Sequence, residues 1–242
     1  MSYLKTPRFD LDKSILFQNS DFILINKPPF LSTLEDRNDS VNLLQMIREL
    51  EPAAQVGHRL DKDTSGVLAV ARNPEAYRHL SIQFEERRVH KIYHAVVDGI
   101  HKFEQQLVDR PILKQKDGIV KLDSAGKEAQ TYFTSLEYFK MHTLIQCQPV
   151  TGRMHQIRIH LASLKAPITG DMLYGGKPFY LSSVKRDFNL KKDSEEQPFI
   201  KRMALHAYSI GFLGRNNEKI EVVAPYPKDF SALLKQLSRN LR

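Results

Sequence analysis

The order of strand-like and helix-like segments restricts the fold of this 242-residue chain more than any other feature of its sequence. Segments rich in β-branched and aromatic residues predict strands at 22–26, 67–71, 92–97, 131–138, 142–149, 205–212 and 220–223. Apolar residues recur with helical periodicity at 41–50, 75–86, 154–164 and 230–241. Helices and strands do not alternate strictly, and several strands follow one another directly. The pattern predicts an α+β fold with a central mixed, largely antiparallel sheet flanked by helices and loops, and not a doubly wound parallel sheet.

The chain has no feature that marks a domain boundary. It contains neither an internal repeat of 20 to 50 residues nor a linker rich in Gly, Ser or Pro. We therefore expect a single domain over 1–242. In segment 185–196, eight of the twelve residues are charged, which predicts an exposed loop or insertion. A solvated surface is the simpler interpretation of this loop, and contact with a binding partner is the alternative.

The net charge points to a polyanionic partner. Lysine and arginine total 36 against 28 aspartate and glutamate residues, which gives +8. Nucleic acid is the most common partner of such a chain, because its binding to a basic surface releases counterions. A basic surface without a specific partner is the alternative.

Composition excludes several other classes of protein. Hydrophobic residues make up 41% of the chain and charged residues 26%, a globular balance that excludes a disordered chain. The longest apolar runs are far shorter than the ~18 residues of a membrane helix, and residues 1–13 show no secretory signal. The single cysteine, Cys147, excludes an internal disulfide and leaves too few thiols for a structural zinc site. A reducing, cytoplasmic compartment fits these features best.

The densest polar cluster, at 57–66, leads directly into the strand predicted at 67–71. A loop anchored on a core strand can hold side chains at fixed geometry. Asp61 and Asp63 lie on either side of Lys62, so at most one of the two carboxylates needs to face a pocket. The alternative is a structural turn closed by Asp, Thr, Ser and Gly.

A second cluster, at 151–160, includes an arginine on an apolar helix face. The stripe is formed by Met154, Ile157, Leu161 and Leu164. Arg158 lies at or in this stripe, where an unpaired charge would be costly. A carboxylate held bidentately is its most economical partner, and Asp61 is the candidate. The alternative is that Arg158 extends to the surface.

Other kinds of site have little support in the sequence. His155 and His160 are five residues apart, and no nearby acidic residue completes a metal triad, so we expect no metal site. Gly-rich phosphate-binding loops are missing, and Ser65 lacks the flanking pattern of a hydrolase nucleophile.

A third cluster lies on the strand predicted at 92–97. Tyr93, Ala95 and Val97 share one face of this strand. The small Ala95 leaves room beside the tyrosine ring, as a base-stacking platform requires. A tyrosine packed in the core is the alternative.

Together the clusters resemble the RluA-type family of RNA pseudouridine synthases. Residues 58–66 match the family pattern HRLDxxTSG, and residues 91–99 match KxYxAxVxG. Residues 152–160 match GRxHQ[LI]RxH, and residues 167–175 match the PIxGDxxYG that follows. The stretches 205–207 and 224–230 also fit, so the matches occur in family order and span roughly 16–230. The departures from the pattern, Phe30, Lys165 and Met154, concern loop shape and not catalytic positions.

The resemblance implies a pseudouridine synthase fold and the isomerisation of uridine in RNA to pseudouridine, without cofactor or metal. It implies that Asp61 is the catalytic carboxylate, that Arg158 is its partner and that Tyr93 stacks on the target uracil. Arg59 would fill the space that a flipped base leaves in the RNA.

The resemblance further assigns contacts with RNA to five residues, which are His58, Thr64, Arg153, His155 and Gln156. The expected partner is a ribosomal or transfer RNA stem-loop, bound by a monomer. The S4-type RNA-binding domain that many members carry has no room before the catalytic match. The competing hypothesis is a non-catalytic RNA-binding or assembly factor that keeps the same fold.

Overall fold

The computed structural model describes residues 10–35, 41–115, 118–185, 188–190 and 195–240. Its helices are α1 (Leu11–Ser14), α2 (Leu43–Arg48), α3 (Pro74–Glu85), α4 (Gln156–Ser163) and α5 (Lys228–Arg239). Its strands are β1 (Ile15–Gln18), β2 (Phe22–Lys27), β3 (Gln55–Val56), β4 (Ser65–Ala71), β5 (His90–Asp98), β6 (Gln106–Asp109), β7 (Ile112–Lys114), β8 (Val120–Leu122), β9 (Gln130–Tyr138), β10 (His142–Pro149), β11 (Leu205–Leu213) and β12 (Lys219–Val223). Short 3₁₀ turns occur at Met172–Tyr174 and Leu181–Ser183. All of the strands and helices predicted from the sequence are present, with ends that differ by a few residues.

The chain divides into two compact units, and each is built from two segments of chain. The first unit comprises Met1–Ile92 and His206–Tyr226, and the second comprises Tyr93–Leu205 and Pro227–Arg242. The expectation of a single domain over 1–242 stays a prediction.

The sheet of the first unit is centred on β4, whose seven residues are all buried. Strands β2 and β3 pair with β4 in antiparallel orientation, β1 pairs with β2, and β12 pairs with β11. Strand β11 runs parallel to β4, with His206 opposite Ser65 and Ala207 opposite Gly66. Helix α3 begins after Asn73, whose side chain accepts a hydrogen bond from the Ala76 N–H. One face of the sheet and α3 enclose a core that includes Phe22, Leu24, Val67, Leu80 and Phe212.

The second unit contains an antiparallel sheet in the order β5, β10, β9, β6. A separate hairpin of β7 and β8 packs against α4. This small core contains Ile112 and Val120 from the hairpin, with Met154 and Ile159 from the region of α4. The strand pairings within the two units confirm the predicted α+β class and the predominance of antiparallel pairing.

Two sequence features complete the description of the fold. In the charged segment 185–196, residues 186–187 and 191–194 lie outside the described residues, and the remaining positions form neither helix nor strand. None of the helices in the described ranges combines the length and apolar character needed to cross a bilayer.

Candidate active site

Two buried side chains fix the backbone on both sides of Asp61. This residue is half-buried and opens a turn in which the Thr64 N–H donates to the Asp61 carbonyl at 3.0 Å. On one side, the Thr33 hydroxyl accepts from the Leu60 N–H at 3.2 Å and donates to the Leu60 carbonyl at 3.0 Å. On the other side, the Lys27 ammonium donates to the Lys62 carbonyl at 3.1 Å. The loop therefore holds Asp61 at a defined position, as the sequence analysis expects of a site anchored on β4.

Lys27 is an unusual residue because its side chain is fully buried. Its ammonium also donates to the carbonyls of Pro28 at 2.9 Å and Leu31 at 2.8 Å. With the Lys62 carbonyl, these bonds use all three donors of the ammonium and offset the cost of its burial. Lys27 thereby ties the loop that follows β2 to the turn that contains Asp61.

The residues that follow the turn pack directly on β11. The Ser65 hydroxyl lies 2.9 Å from His206 Nδ1, and His206 Nε2 lies 3.1 Å from the Ala224 carbonyl. Because a carbonyl can only accept, Nε2 carries the proton and Nδ1 accepts from Ser65. Gly66 has a φ of +117°, and a Cβ at this position would overlap the Ala207 carbonyl. The Thr-Ser-Gly stretch thus pairs with the Leu-His-Ala stretch across the parallel strands β4 and β11.

His58 supports the same loop from its other end. Its Nε2 accepts a hydrogen bond from the Ala69 N–H at 3.1 Å, and its ring lies 5.0 Å from the Phe84 ring. Burial, and secondarily the charge of Lys91, lower the pKa of His58 to about 3. The ring is therefore neutral at physiological pH and binds the backbone of β4. An additional contact of His58 with RNA stays a prediction.

The other residues predicted around this loop differ in exposure. Arg59 is exposed, whereas Thr64 is buried at 2% relative exposure. Lys91 lies with its Nζ 5.7 Å from the centre of the Phe84 ring, and burial lowers its pKa to about 8. The accessible guanidinium of Arg59 is compatible with a contact to RNA.

In the second unit, Arg158 is paired with a carboxylate that the sequence analysis did not select. Its Nε lies 2.7 Å from Asp171 Oδ2, and its Nη2 lies 2.7 Å from Asp171 Oδ1. The side chain of Arg158 is only 11% exposed, which contradicts the alternative that it extends to the surface. A bidentate pair of the expected kind is present, and Asp171 provides its carboxylate. A pairing of Arg158 with Asp61 stays a prediction.

Tyr174 joins Arg158 to His155. The Arg158 guanidinium carbon lies 5.0 Å from the centre of the Tyr174 ring. The Tyr174 hydroxyl lies 2.9 Å from His155 Nδ1 and accepts from the Val120 N–H at 3.3 Å. His155 has a φ of +52° and directly precedes α4. The stretch matched to PIxGDxxYG therefore contacts the stretch matched to GRxHQ[LI]RxH.

Gln156 is buried and closes the loop before α4. Its side-chain oxygen accepts from the Thr151 hydroxyl at 2.7 Å and from the Arg153 N–H at 2.9 Å. Its side-chain nitrogen donates to the Gln130 carbonyl at 2.9 Å and to the Thr131 hydroxyl at 3.0 Å. Protein groups fill all four positions of the amide, and the predicted contact of Gln156 with RNA stays a prediction.

Arg153 and His160, on either side of Gln156 in the sequence, have different environments. Arg153 is exposed, and its Nε donates to the Glu128 carbonyl at 3.0 Å. His160 is fully buried, between the Thr131 hydroxyl at 2.9 Å and the Arg110 carbonyl at 3.1 Å. His160 is thus a core residue. Within the described ranges, no group of three or more His, Cys, Asp or Glu side chains could hold a metal ion.

Tyr93 lies where the buried face of β5 approaches the surface. It is paired with Cys147 of β10, and Ala95 is paired with Ile145. Ala95 and Val97 are fully buried on the same face, whereas Tyr93 is half-buried. The regular pairing of β5 with β10 places Tyr93, Ala95 and Val97 on one face, and a role of Tyr93 as a stacking platform stays a prediction.

Sequence reasoning missed the residues that hold these groups in place, which are Lys27, Thr33, Asp171, Tyr174 and His206. Asp171 and Tyr174 both lie in a matched stretch, so a comparison of all acidic residues in the matched stretches would have included Asp171 as a partner for Arg158. Lys27 and Thr33 carried no local signal, because their bonds depend on the tertiary fold.

Comparisons with known proteins agree on one family. Residues 21–163 match the family model described as RNA pseudouridylate synthase. The chain is 36% identical over 222 residues to "Ribosomal large subunit pseudouridine synthase C" of Vibrio cholerae, covering 89% of this chain and 66% of that protein. It is 34% identical to an uncharacterized RNA pseudouridine synthase of Zymomonas mobilis, covering 92% of this chain and 98% of the relative. Among solved structures, human RNA pseudouridylate synthase domain containing 1 superimposes with a TM-score of 0.69 at 27% identity, covering 96% of this chain and 95% of that one.

Proposed function

Since this chain belongs to the RNA pseudouridylate synthase family, its reaction is the isomerisation of uridine in RNA to pseudouridine, and we propose that Asp61 is the catalytic carboxylate and a stem-loop of large-subunit ribosomal RNA the substrate. The fixing of Asp61 between Leu60 and Lys62 carries the first assignment. A carboxylate can act on one atom of a bound nucleotide only if its backbone does not move.

The reaction rearranges the substrate without adding or removing atoms. The bond between C1′ and N1 breaks, the uracil turns, and C5 bonds to C1′ while the C5 proton is lost and N1 gains one. Asp61 either attacks C1′ or removes the C2′ proton. The reaction itself consumes neither an oxidant nor a group donor.

Two further residues have proposed roles in the chemistry. Arg158 supplies a positive charge to the reaction, as its position in the matched motif implies. Tyr93 stacks on the uracil and assists transfer of the C5 proton, which requires reach as well as a suitable pKa. The half-buried position of Tyr93 beside the buried Ala95 supports this role.

A uridine within a stem or tight loop must leave the base stack to reach Asp61. Flipping costs a few kcal/mol, and the vacant space must be filled. Arg59 is exposed two residues before Asp61, and its planar guanidinium can replace a stacked base.

We expect the synthase to act as a monomer in the cytoplasm.

The test of Asp61 measures tritium release from 5-tritiated uridine in RNA. We expect Asp61→Asn to lower the rate by roughly 1,000-fold or more, since amides neither attack as nucleophiles nor accept protons as carboxylates do. Asp63→Asn, a half-buried carboxylate in the same turn, is the matched control and should stay within about tenfold of wild type, because Asp63 has no proposed role in the reaction. Wild-type release by Asp61→Asn would overturn the assignment.

The same assay separates the competing functions. A non-catalytic RNA-binding factor would bind unmodified RNA and release no tritium even as wild type. Unmodified large-subunit ribosomal RNA and unmodified transfer RNA are compared as substrates, because two of the relatives are named as large-subunit synthases C and D. Release from transfer RNA alone would overturn the proposed substrate and leave the role of Asp61 intact.

A further inference from the structure

The ion pair between Arg158 and Asp171 engages one edge of the guanidinium, and the other edge points away from Asp171. Asp171 engages Nε and Nη2, each at 2.7 Å. A guanidinium has five N–H groups in one plane. The other three, two on Nη1 and one on Nη2, therefore point away from Asp171. Asp171 thus determines the direction of that outer edge.

Tyr174 fixes the plane of the same guanidinium. Its ring lies 5.0 Å from the Arg158 guanidinium carbon, a distance typical of a cation–π contact. The Tyr174 hydroxyl is held by His155 Nδ1 at 2.9 Å and the Val120 N–H at 3.3 Å. The Tyr174 hydroxyl is held by these two groups, and the ring contacts Arg158. The ring therefore has a defined orientation and limits rotation of the guanidinium.

The turn that presents Asp171 and Tyr174 is itself tightly held. The Asp171 carbonyl accepts from the Tyr174 N–H at 3.1 Å and from the Gly176 N–H at 2.9 Å. Gly170 has a φ of +81°, and a Cβ at Gly176 would overlap the Ile168 carbonyl. The matched Gly-Asp-x-x-Tyr-Gly stretch therefore forms a compact turn that presents a carboxylate and an aromatic face to α4.

We propose that Asp171 and Tyr174 are positioning residues that set the direction and plane of the Arg158 guanidinium for catalysis. This inference rests on the proposed catalytic role of Arg158. A long arginine side chain loses conformational entropy when it is ordered, and Asp171 and Tyr174 impose that order before RNA binds. Misplacement of a catalytic group by about 1 Å can lower the rate about 100-fold.

The second unit contains a matched control in another buried Arg–Asp pair. Arg202 Nε lies 2.7 Å from Asp229 Oδ2, and Arg202 Nη2 lies 3.1 Å from Asp229 Oδ1. Arg202 also donates to the carbonyls of Met203 and Leu205. This pair has the same geometry, and it joins α5 to the chain that precedes β11. Its loss measures the structural cost of breaking a bidentate pair.

The experiment compares Asp171→Asn with Asp229→Asn at a temperature where both variants are folded. We expect both to lower Tm, and only Asp171→Asn to lower kcat, by about 100-fold with KM within about threefold of wild type. A purely structural role of Asp171 would lower Tm in Asp171→Asn and leave kcat at the wild-type value.

Tyr174 supplies a second pair of variants in case Asp171→Asn does not fold. Tyr174→Phe keeps the aromatic face beside Arg158 and loses the bonds to His155 and Val120. Tyr174→Leu loses the aromatic face as well as these two hydrogen bonds. We expect Tyr174→Leu to lower kcat about tenfold more than Tyr174→Phe, since a cation–π contact of this kind contributes measurably at partly buried sites. Equal kcat for the two variants would overturn the role of Tyr174.

Arg158→Ala separates the failure of this inference from that of the proposed function. Full activity of Arg158→Ala would remove the proposed role of Arg158 and overturn the inference with it. If Arg158→Ala is inactive while Asp171→Asn keeps the kcat of wild type, the inference alone is wrong. Equal losses of kcat in Asp171→Asn and Asp229→Asn would also overturn it.

Discussion

His58 makes the stability of the folded protein depend on pH, although it has no part in the proposed reaction. Its pKa lies at about 3 in the folded protein, because the ring is buried and the charge of Lys91 adds to the effect, and near 6.5 in an unfolded chain. Above pH 6.5 the ring is neutral in both states. As the pH falls below 6.5, the unfolded chain gains a proton that the folded chain does not, so stability decreases with falling pH.

This difference in proton binding leads to the first prediction. Lowering the pH from 7.5 to 5.5 should cost about 1 kcal/mol of unfolding free energy through His58 alone. His58→Gln keeps an acceptor for the Ala69 N–H and does not titrate. We expect it to be less stable than wild type at pH 7.5 and less sensitive to the change of pH. Urea unfolding at both pH values tests this, and equal pH sensitivity of the two proteins would contradict it.

Gly66 provides the second prediction at the scale of single residues. Gly66→Ala forces a Cβ into the Ala207 carbonyl and also strains the backbone at a φ of +117°. We expect a loss of about 3 kcal/mol or complete failure to fold, since strain of this kind costs about 1–3 kcal/mol before any clash. Gly118→Ala is the control, because Gly118 has a φ of +85° and nothing lies within 4 Å of the added Cβ. Thermal unfolding of both variants should show a much larger effect at Gly66.

At the scale of elements, Lys27 joins the end of β2 to the turn before β4. Lys27→Met removes three hydrogen bonds and leaves the carbonyls of Pro28, Leu31 and Lys62 without this donor. We expect a loss of about 2–3 kcal/mol in unfolding free energy and a fall in activity, because the Asp61 turn is released. Lys219→Met on β12 is the control, since Lys219 is 74% exposed and should cost less than about 0.5 kcal/mol. Equal stability of the two variants would contradict the prediction.

The sequence predicted long, strongly patterned elements better than short ones. Strand β10 was predicted with its exact ends, His142 and Pro149. Strands β7 and β8 were missed because each has only three residues, and they depend on packing against Met154 and Ile159. Helix α4 begins two residues later than predicted, because His155 adopts a left-handed conformation that no periodicity reveals.

The candidate site was predictable to a similar extent. Motif residues such as Asp61 and Arg158 could be selected from local sequence, as could the need of Arg158 for a carboxylate. The identity of Asp171 as the bidentate partner could not be chosen, because several carboxylates were available and only the tertiary fold brings one to α4. The four protein partners of Gln156 could not be predicted for the same reason, since they come from the loop before α4 and from β9.

At the scale of the whole molecule, the charge of +8 should dominate the affinity for RNA. We expect the logarithm of the binding constant to fall linearly with the logarithm of salt concentration, losing at least about tenfold between 50 and 200 mM salt. Asp61→Asn allows the measurement without turnover. A flat response over this range would show that charge does not drive binding, and fluorescence anisotropy with a labelled stem-loop provides the readout.

The division of each unit into two segments of chain affects how the protein is made. Ser65 and its partner His206 are 141 residues apart, so at about 5–20 residues per second a ribosome needs roughly seven to thirty seconds to supply β11 after β4. During that interval the Ser65–Gly66 end of β4 is an unpaired edge that can join another nascent chain. Slow translation, or a deficit of chaperones, should therefore reduce the yield of this protein through aggregation more than it affects a protein whose units are each encoded in one continuous stretch.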